Sequence, residues 1–101
     1  MTTKAMNILN KLTGGRLTLG DAIKAIRLSE EISQGDFAKT LLVSQSYLSD
    51  LEKNRKEISP RKAAEFANIL EQSEKQFIRL AIQDALERQG LHYDIEIKEV
   101  A

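Results

Sequence analysis

The segment from residue 33 to residue 52, Ser33-Gln34-Gly35-Asp36-Phe37-Ala38-Lys39-Thr40-Leu41-Leu42-Val43-Ser44-Gln45-Ser46-Tyr47-Leu48-Ser49-Asp50-Leu51-Glu52, constrains the fold more than any other part of the chain. Two helix starts are packed into it. Ser33, followed by Asp36 at the third helical position, caps the first, and Ser44 caps the second. Each serine oxygen accepts a backbone N–H that would otherwise be orphaned. So few residues remain to join the helices that they must cross steeply, leaving the second to project from the body of the domain.

Apolar spacing carries the helical reading in both directions. Ala5, Met6, Ile8, Leu9 and Leu12 follow a helical period that Gly14-Gly15 ends, which gives a short amphipathic arm over residues 1–17. Thr18 is placed to cap a helix reaching to about Glu31, with Leu19, Ile23 and Ile26 on one face and Ile32 in the joint that follows. Ser59-Pro60 sets a cap before a proline at the first helical position, opening a helix whose Ala63, Ala64, Phe66, Ala67, Ile69 and Leu70 close the core. Ser73 with Gln76 opens another, through Phe77, Ile78, Leu80, Ala81, Ile82, Ala85 and Leu86, that Gly90 ends. Its apolar positions spread beyond one stripe, which fits either a central core helix or a second face buried against another chain.

Only the tail breaks the helical period. Tyr93-Asp94-Ile95-Glu96-Ile97-Lys98 alternates apolar and polar, as a half-buried strand does. A lone strand cannot satisfy its own backbone, so residues 91–101 must pair with another chain or fray, and pairing with a second copy through Tyr93, Ile95 and Ile97 is the economical expectation. An antiparallel register centred on Ile97 would set Glu96 opposite the partner's Lys98 twice.

Composition excludes several classes. The 101 residues fit one domain, and the absence of cysteine removes disulfides and thiolate metal sites. No apolar run approaches the roughly 18 residues of a membrane span, and the start lacks a secretory apolar region, so a reducing cytoplasm is expected. His92 is the one histidine, and no paired carboxylates stand in an evident pocket, so neither catalysis nor a cofactor has support. Gly14-Gly15-Arg16 lacks the spacing and the lysine of a phosphate-binding loop. The formal charge of zero conceals a gradient: five basic and one acidic residue in 1–28, six of each in 29–62, four basic and eight acidic in 63–101. A molecule polarised in this way presents its basic side to an anion and binds it in a salt-sensitive manner.

The second helix of the 33–52 segment suits base reading. Leu48 and Leu51 point one way, while Ser46, Ser49 and Asp50 point the other with Gln45 and Tyr47 on the flanks. Short polar side chains let a helix approach the floor of a major groove about 12 Å wide, where Gln45, Ser46, Ser49 and Asp50 have the chemistry to read base edges: an amide for adenine, a carboxylate for the cytosine amino group, a hydroxyl for either kind. Asp50 either specifies a base or excludes wrong sites. Lys53-Asn54-Arg55-Lys56, together with Tyr47 and Gln34, would position the protein on phosphates rather than specify sequence.

These residues resemble the Xre (Cro/C1-type) helix-turn-helix repressor family over residues 23–70: Arg27, Gln34, Phe37-Ala38, Val43-Ser44, Leu48, Leu51 and Glu52 fall where its pattern places them. The resemblance implies a lambda-repressor-like, all-α, five-helix domain in which Gln34 and Ser44 touch phosphate, Gln45, Ser46 and Asp50 occupy base-reading positions, and Arg27 pairs with Glu52. Two positions depart from the family: Leu42 stands at its usual turn glycine and Asn54 at the glycine after the second helix. Asparagine tolerates a left-handed backbone, whereas leucine there would be strained, so a reshaped turn is expected. The ending from Phe77 to Leu86, followed by a short strand, is similar to HigA-type antitoxins. That similarity implies a homodimer that represses its own operator and neutralises a messenger-RNA endonuclease toxin, with residues 4–13 either gripping the toxin or packing on their own domain.

The expected organisation is an arm (1–17), a DNA-binding domain (18–90) and a dimerisation strand (91–101). The dimer would bind a palindromic double-stranded operator with half-sites roughly 34–36 Å apart. A stand-alone repressor, an antitoxin that also represses, and a protein-interaction module that has lost DNA binding share this fold, and fold alone does not separate them. The polar outward face speaks against the last, since a protein-binding surface normally offers aromatic or large apolar anchors.

Overall fold

The computed structural model describes residues 17–100, which form five helices: α1 (Leu19–Ser29), α2 (Gln34–Leu41), α3 (Gln45–Glu52), α4 (Pro60–Ile69) and α5 (Glu74–Arg88). The arm over residues 4–13 lies outside the described residues.

Every helix starts on a hydroxyl. Thr18 makes a reciprocal capping box with Asp21, and Ser33, Ser44, Ser59 and Ser73 each accept the N–H three residues on, at 3.0–3.2 Å. Local sequence therefore fixes where each helix begins. Every helix also ends alike, on a residue with positive φ: Glu31, Leu42, Asn54, Glu71 and Gly90, at 56° to 75°. In each case the following N–H returns to a carbonyl five residues back: Ile32 to Arg27, Val43 to Ala38, Arg55 to Asp50, Gln72 to Ala67 and Leu91 to Leu86. This is the Schellman ending, normally built on glycine; four of the five here use a residue with a side chain.

The core is continuous through the bundle. Leu19, Ile23 and Ile26 of α1 meet Phe37 and Leu41 of α2, Leu48 and Leu51 of α3, Phe66 of α4 and Phe77 and Leu80 of α5, all buried. α4 and α5 share the most extensive packing, and α3 lies against α1 and α2. Of the wide apolar face of α5, Phe77, Leu80 and Ala81 are buried, whereas Ile78, Ile82, Ala85 and Leu86 are half-buried. At Gly20 the backbones of α1 and α3 nearly touch, since a Cβ there would lie 2.1 Å from the Leu51 carbonyl oxygen.

The structure corrects two expectations. The described residues contain no strand, and residues 91–100 have no regular structure. Alternation does sort the side chains, with Ile95 and Ile97 half-buried and Asp94, Glu96 and Lys98 exposed. Two groups of the tail backbone are instead met by a side chain: the Gln83 amide, buried in α5, donates to the Tyr93 carbonyl and accepts the Ile95 N–H at 3.2 Å. One side-chain amide carries both a donor and an acceptor, and so at Tyr93 and Ile95 it takes the place of a neighbouring strand. Tyr93 itself is exposed. The α2–α3 turn is not reshaped either: Leu42 takes the left-handed conformation (φ 61°, ψ 39°) that suits glycine, and the residue is 83% exposed.

Candidate nucleic-acid interface

α3 is anchored by its apolar side and its last residue. Leu48 and Leu51 are buried, and Glu52 is buried with them. A buried carboxylate needs partners. Arg27 supplies a bidentate pair, Nε to Oε2 at 2.7 Å and Nη2 to Oε1 at 2.9 Å, while its Nη1 donates to the Ile32 carbonyl at 3.1 Å. The hydrogen bond to Glu52 raises the Arg27 pKa above its usual value, against the opposing effect of burial. The arginine contribution to stability is thus fully present below its unfolded pKa and is lost only as pH climbs through the still higher folded value.

Gln34 joins this pair, its Nε2 donating to Glu52 Oε1 at 3.2 Å. That bond fixes the amide at the first turn of α2 and leaves the second Nε2 hydrogen for another acceptor. Next to it, Gly35 gives room for the Gln45 amide, whose Oε1 would stand 3.3 Å from a Cβ at that position. Gln45 and Ser46 are exposed, Ser49 and Asp50 half-buried.

Gln34, Gln45, Ser46, Ser49, Asp50, Lys53 and Arg55 line a single open hollow of about 540 Å³. It brings together the four expected base-reading residues, the amide at the start of α2 and two cations beyond α3. Its wall is polar and its mouth wide, suited to a large polar surface rather than an enclosed small molecule. Asp50 shares the hollow with Lys53 and Arg55.

The other expected phosphate residues sit outside its lining. Ser44 Oγ accepts the Tyr47 N–H at 3.0 Å, which leaves its hydroxyl hydrogen to donate. The Lys56 ammonium stands 4.8 Å from the centre of the Tyr47 ring, a cation–π contact that holds both side chains together. The exposed Asn54 bonds to the start of α1: its Oδ1 accepts from the Thr18 hydroxyl at 2.6 Å and its Nδ2 donates to Asp21 at 3.2 Å. The asparagine in place of glycine thus ties the exit of α3 to the start of α1.

Sequence reasoning missed the groups that support this surface. Gly20, Asp84 and Arg88 received no role from the sequence. Asp84 accepts the Leu19 N–H at 2.9 Å, and Arg88 donates to the Asn54 and Lys56 carbonyls. Gln83 had a signal, an amide amid Leu80, Ala81, Ala85 and Leu86; the others act across long sequence separations that no local pattern reveals.

A pair of capped helices joined by a tight turn, the second presenting a polar face beside cations, has the form of a DNA-binding module. A helix-turn-helix family model of the Xre (Cro/C1) type matches residues 23–77, more than half of the chain, and the chain belongs to that family. No curated protein and no solved structure matches it. The family is one of DNA-binding transcription regulators, and its fold agrees with the five-helix architecture. No helix among the described residues is long and apolar enough to cross a membrane.

Proposed function

We propose that this regulator is a sequence-specific repressor that reads a palindromic operator as a homodimer. Gln45, Ser46, Ser49 and Asp50 read base edges, and Gln34, Ser44, Tyr47, Lys53, Arg55 and Lys56 engage phosphates. The observation that carries this reading is the shared hollow, in which the polar face of α3 opens between the amide of Gln34 and the cations Lys53 and Arg55. Bound at a promoter, such a protein represses by occlusion. For a second copy, the available apolar surface includes Leu91 and Tyr93, both exposed beside the carboxy-terminal end of α5.

The test is binding to DNA from the protein's own promoter, against random competitor and at two salt concentrations, with wild type beside Gln45→Ala/Ser46→Ala. The double variant is expected to lose about 1–3 kcal/mol of base preference per contact while keeping its salt-dependent affinity for random DNA. Equal affinity of wild type for promoter and random DNA would instead point to a protein-interaction module.

An antitoxin role is the second reading, favoured by the similarity of the α5 segment to HigA-type proteins and by the same exposed Leu91 and Tyr93. Co-purification with the product of an adjacent small gene, and relief of that product's toxicity on co-expression, is the expected result; an unrelieved toxicity removes this reading and leaves the repressor standing.

A further inference from the structure

The loop after α3 carries Lys53, Arg55 and Lys56, and its Lys53, Asn54, Arg55 and Glu57 are exposed. An exposed loop with no apolar anchor among these residues does not fix where its charges point, and ordering it on DNA would cost binding energy. Here its backbone is held before any ligand arrives. Arg88, the last residue of α5, places Nη2 3.0 Å from the Asn54 carbonyl and 3.2 Å from the Lys56 carbonyl. Those carbonyls flank Arg55 on either side, and one guanidinium nitrogen carries the two hydrogens needed to reach both. On the loop's other flank, the Asn54 side chain is tied to Thr18 and Asp21.

The geometry points to Arg88 as a positioning residue for phosphate contact: by bridging the carbonyls of Asn54 and Lys56 it sets the backbone around Arg55, and with it the direction in which Arg55 and Lys56 meet the DNA backbone. The inference rests on the reading that this loop faces DNA. Its consequence is that DNA affinity depends on the far end of the chain, on the same helix whose Gln83, one turn earlier, holds the tail at Tyr93 and Ile95. The charge of Arg88 also suits its place at the carboxy-terminal end of α5, where a cation complements the helix dipole.

The experiment has an arm without DNA and an arm with it. In the free protein, Arg88→Ala should shift the backbone amide resonances of residues 54–57 and speed their hydrogen exchange, while the resonances of α2 keep their positions. With promoter and random DNA alike, Arg88→Ala should bind about tenfold more weakly with base preference unchanged. In a double-mutant cycle the loss should overlap with that of Arg55→Ala, and Arg88→Gln, which is neutral but keeps an NH₂ donor, should recover part of it. Additive losses with an unmoved loop in the free protein would mean that Arg88 meets phosphate directly, and would overturn the inference. If wild type binds DNA and Arg88→Ala matches it, the inference fails while the DNA reading survives. If wild type binds no DNA, both fail, whatever the loop does.

Discussion

The two ends of α3 carry the same backbone conformation and hold it by different means. Before the helix, Leu42 has φ 61°; after it, Asn54 has φ 61° as well. At the entry, Schellman bonds from Leu42 to Lys39 and from Val43 to Ala38 close the turn, and the Leu42 side chain extends into solvent. At the exit, the same pair of backbone bonds is reinforced by side chains from distant parts of the chain: Thr18 and Asp21 on Asn54, Arg88 on the carbonyls around Arg55, and Arg27 on Glu52 one turn earlier. The entry tolerates its residue; the exit is determined by its neighbours. If α3 presents four side chains to base edges as proposed, the fixed end is the one beside Lys53, Arg55 and Lys56.

The largest test of this asymmetry is Arg27→Ala. Removing the arginine leaves Glu52 buried without its bidentate partner, for an expected loss of about 3–5 kcal/mol of stability. Urea unfolding measures it, and a loss no larger than that of an exposed ion pair would contradict the buried geometry. Next comes Asn54→Leu, which gives the exit the residue of the entry. It removes the hydrogen bonds to Thr18 and Asp21 and adds left-handed strain, with an expected loss of about 2–3 kcal/mol. Asn54→Gly separates the two contributions, since glycine keeps the backbone conformation and loses the side-chain bonds alone; the thermal midpoint should fall between those of wild type and Asn54→Leu.

How much of this was legible in the sequence follows from the range of each interaction. The five hydroxyl caps are local, and Ser33, Ser44, Ser59 and Ser73 stand where the sequence places them because a cap needs only its own next three residues. The inward faces of α1 and α3 follow from period alone, so Leu19, Ile23, Ile26, Leu48 and Leu51 were legible too. Leu42 and Asn54 stood out because the family resemblance marks those positions as glycine, whereas Glu31 and Glu71, at the same φ of 56°, carried no such mark. The tail misled for a physical reason: alternation records which side chains face inward, and is silent on what satisfies the backbone. At Tyr93 and Ile95 it is Gln83, from a helix, that does so, and the period-2 signal looks the same either way. Gly20 was invisible, because the need for glycine comes from the Leu51 carbonyl across the α1–α3 contact rather than from a turn.

The smallest expected effect is also the one that separates tolerance from purpose at the entry. Leu42→Gly relieves a side chain held in the left-handed region, where an L-residue costs about 1–2 kcal/mol, and gives part of that back through the greater freedom of glycine in the unfolded chain. A net gain of about 0.5–1 kcal/mol is expected, seen as a higher urea midpoint with an unchanged slope. Leu42 is 83% exposed, so no core contact offsets the gain. If the turn acts only as a joint, the stabilised variant binds promoter DNA as wild type does, because the Schellman bonds that set the entry of α3 involve backbone atoms alone. A variant that is more stable yet weaker in binding DNA, a second copy or a protein partner would show that the strain at Leu42 is retained for a contact made by its exposed side chain, and the entry would then be as determined as the exit.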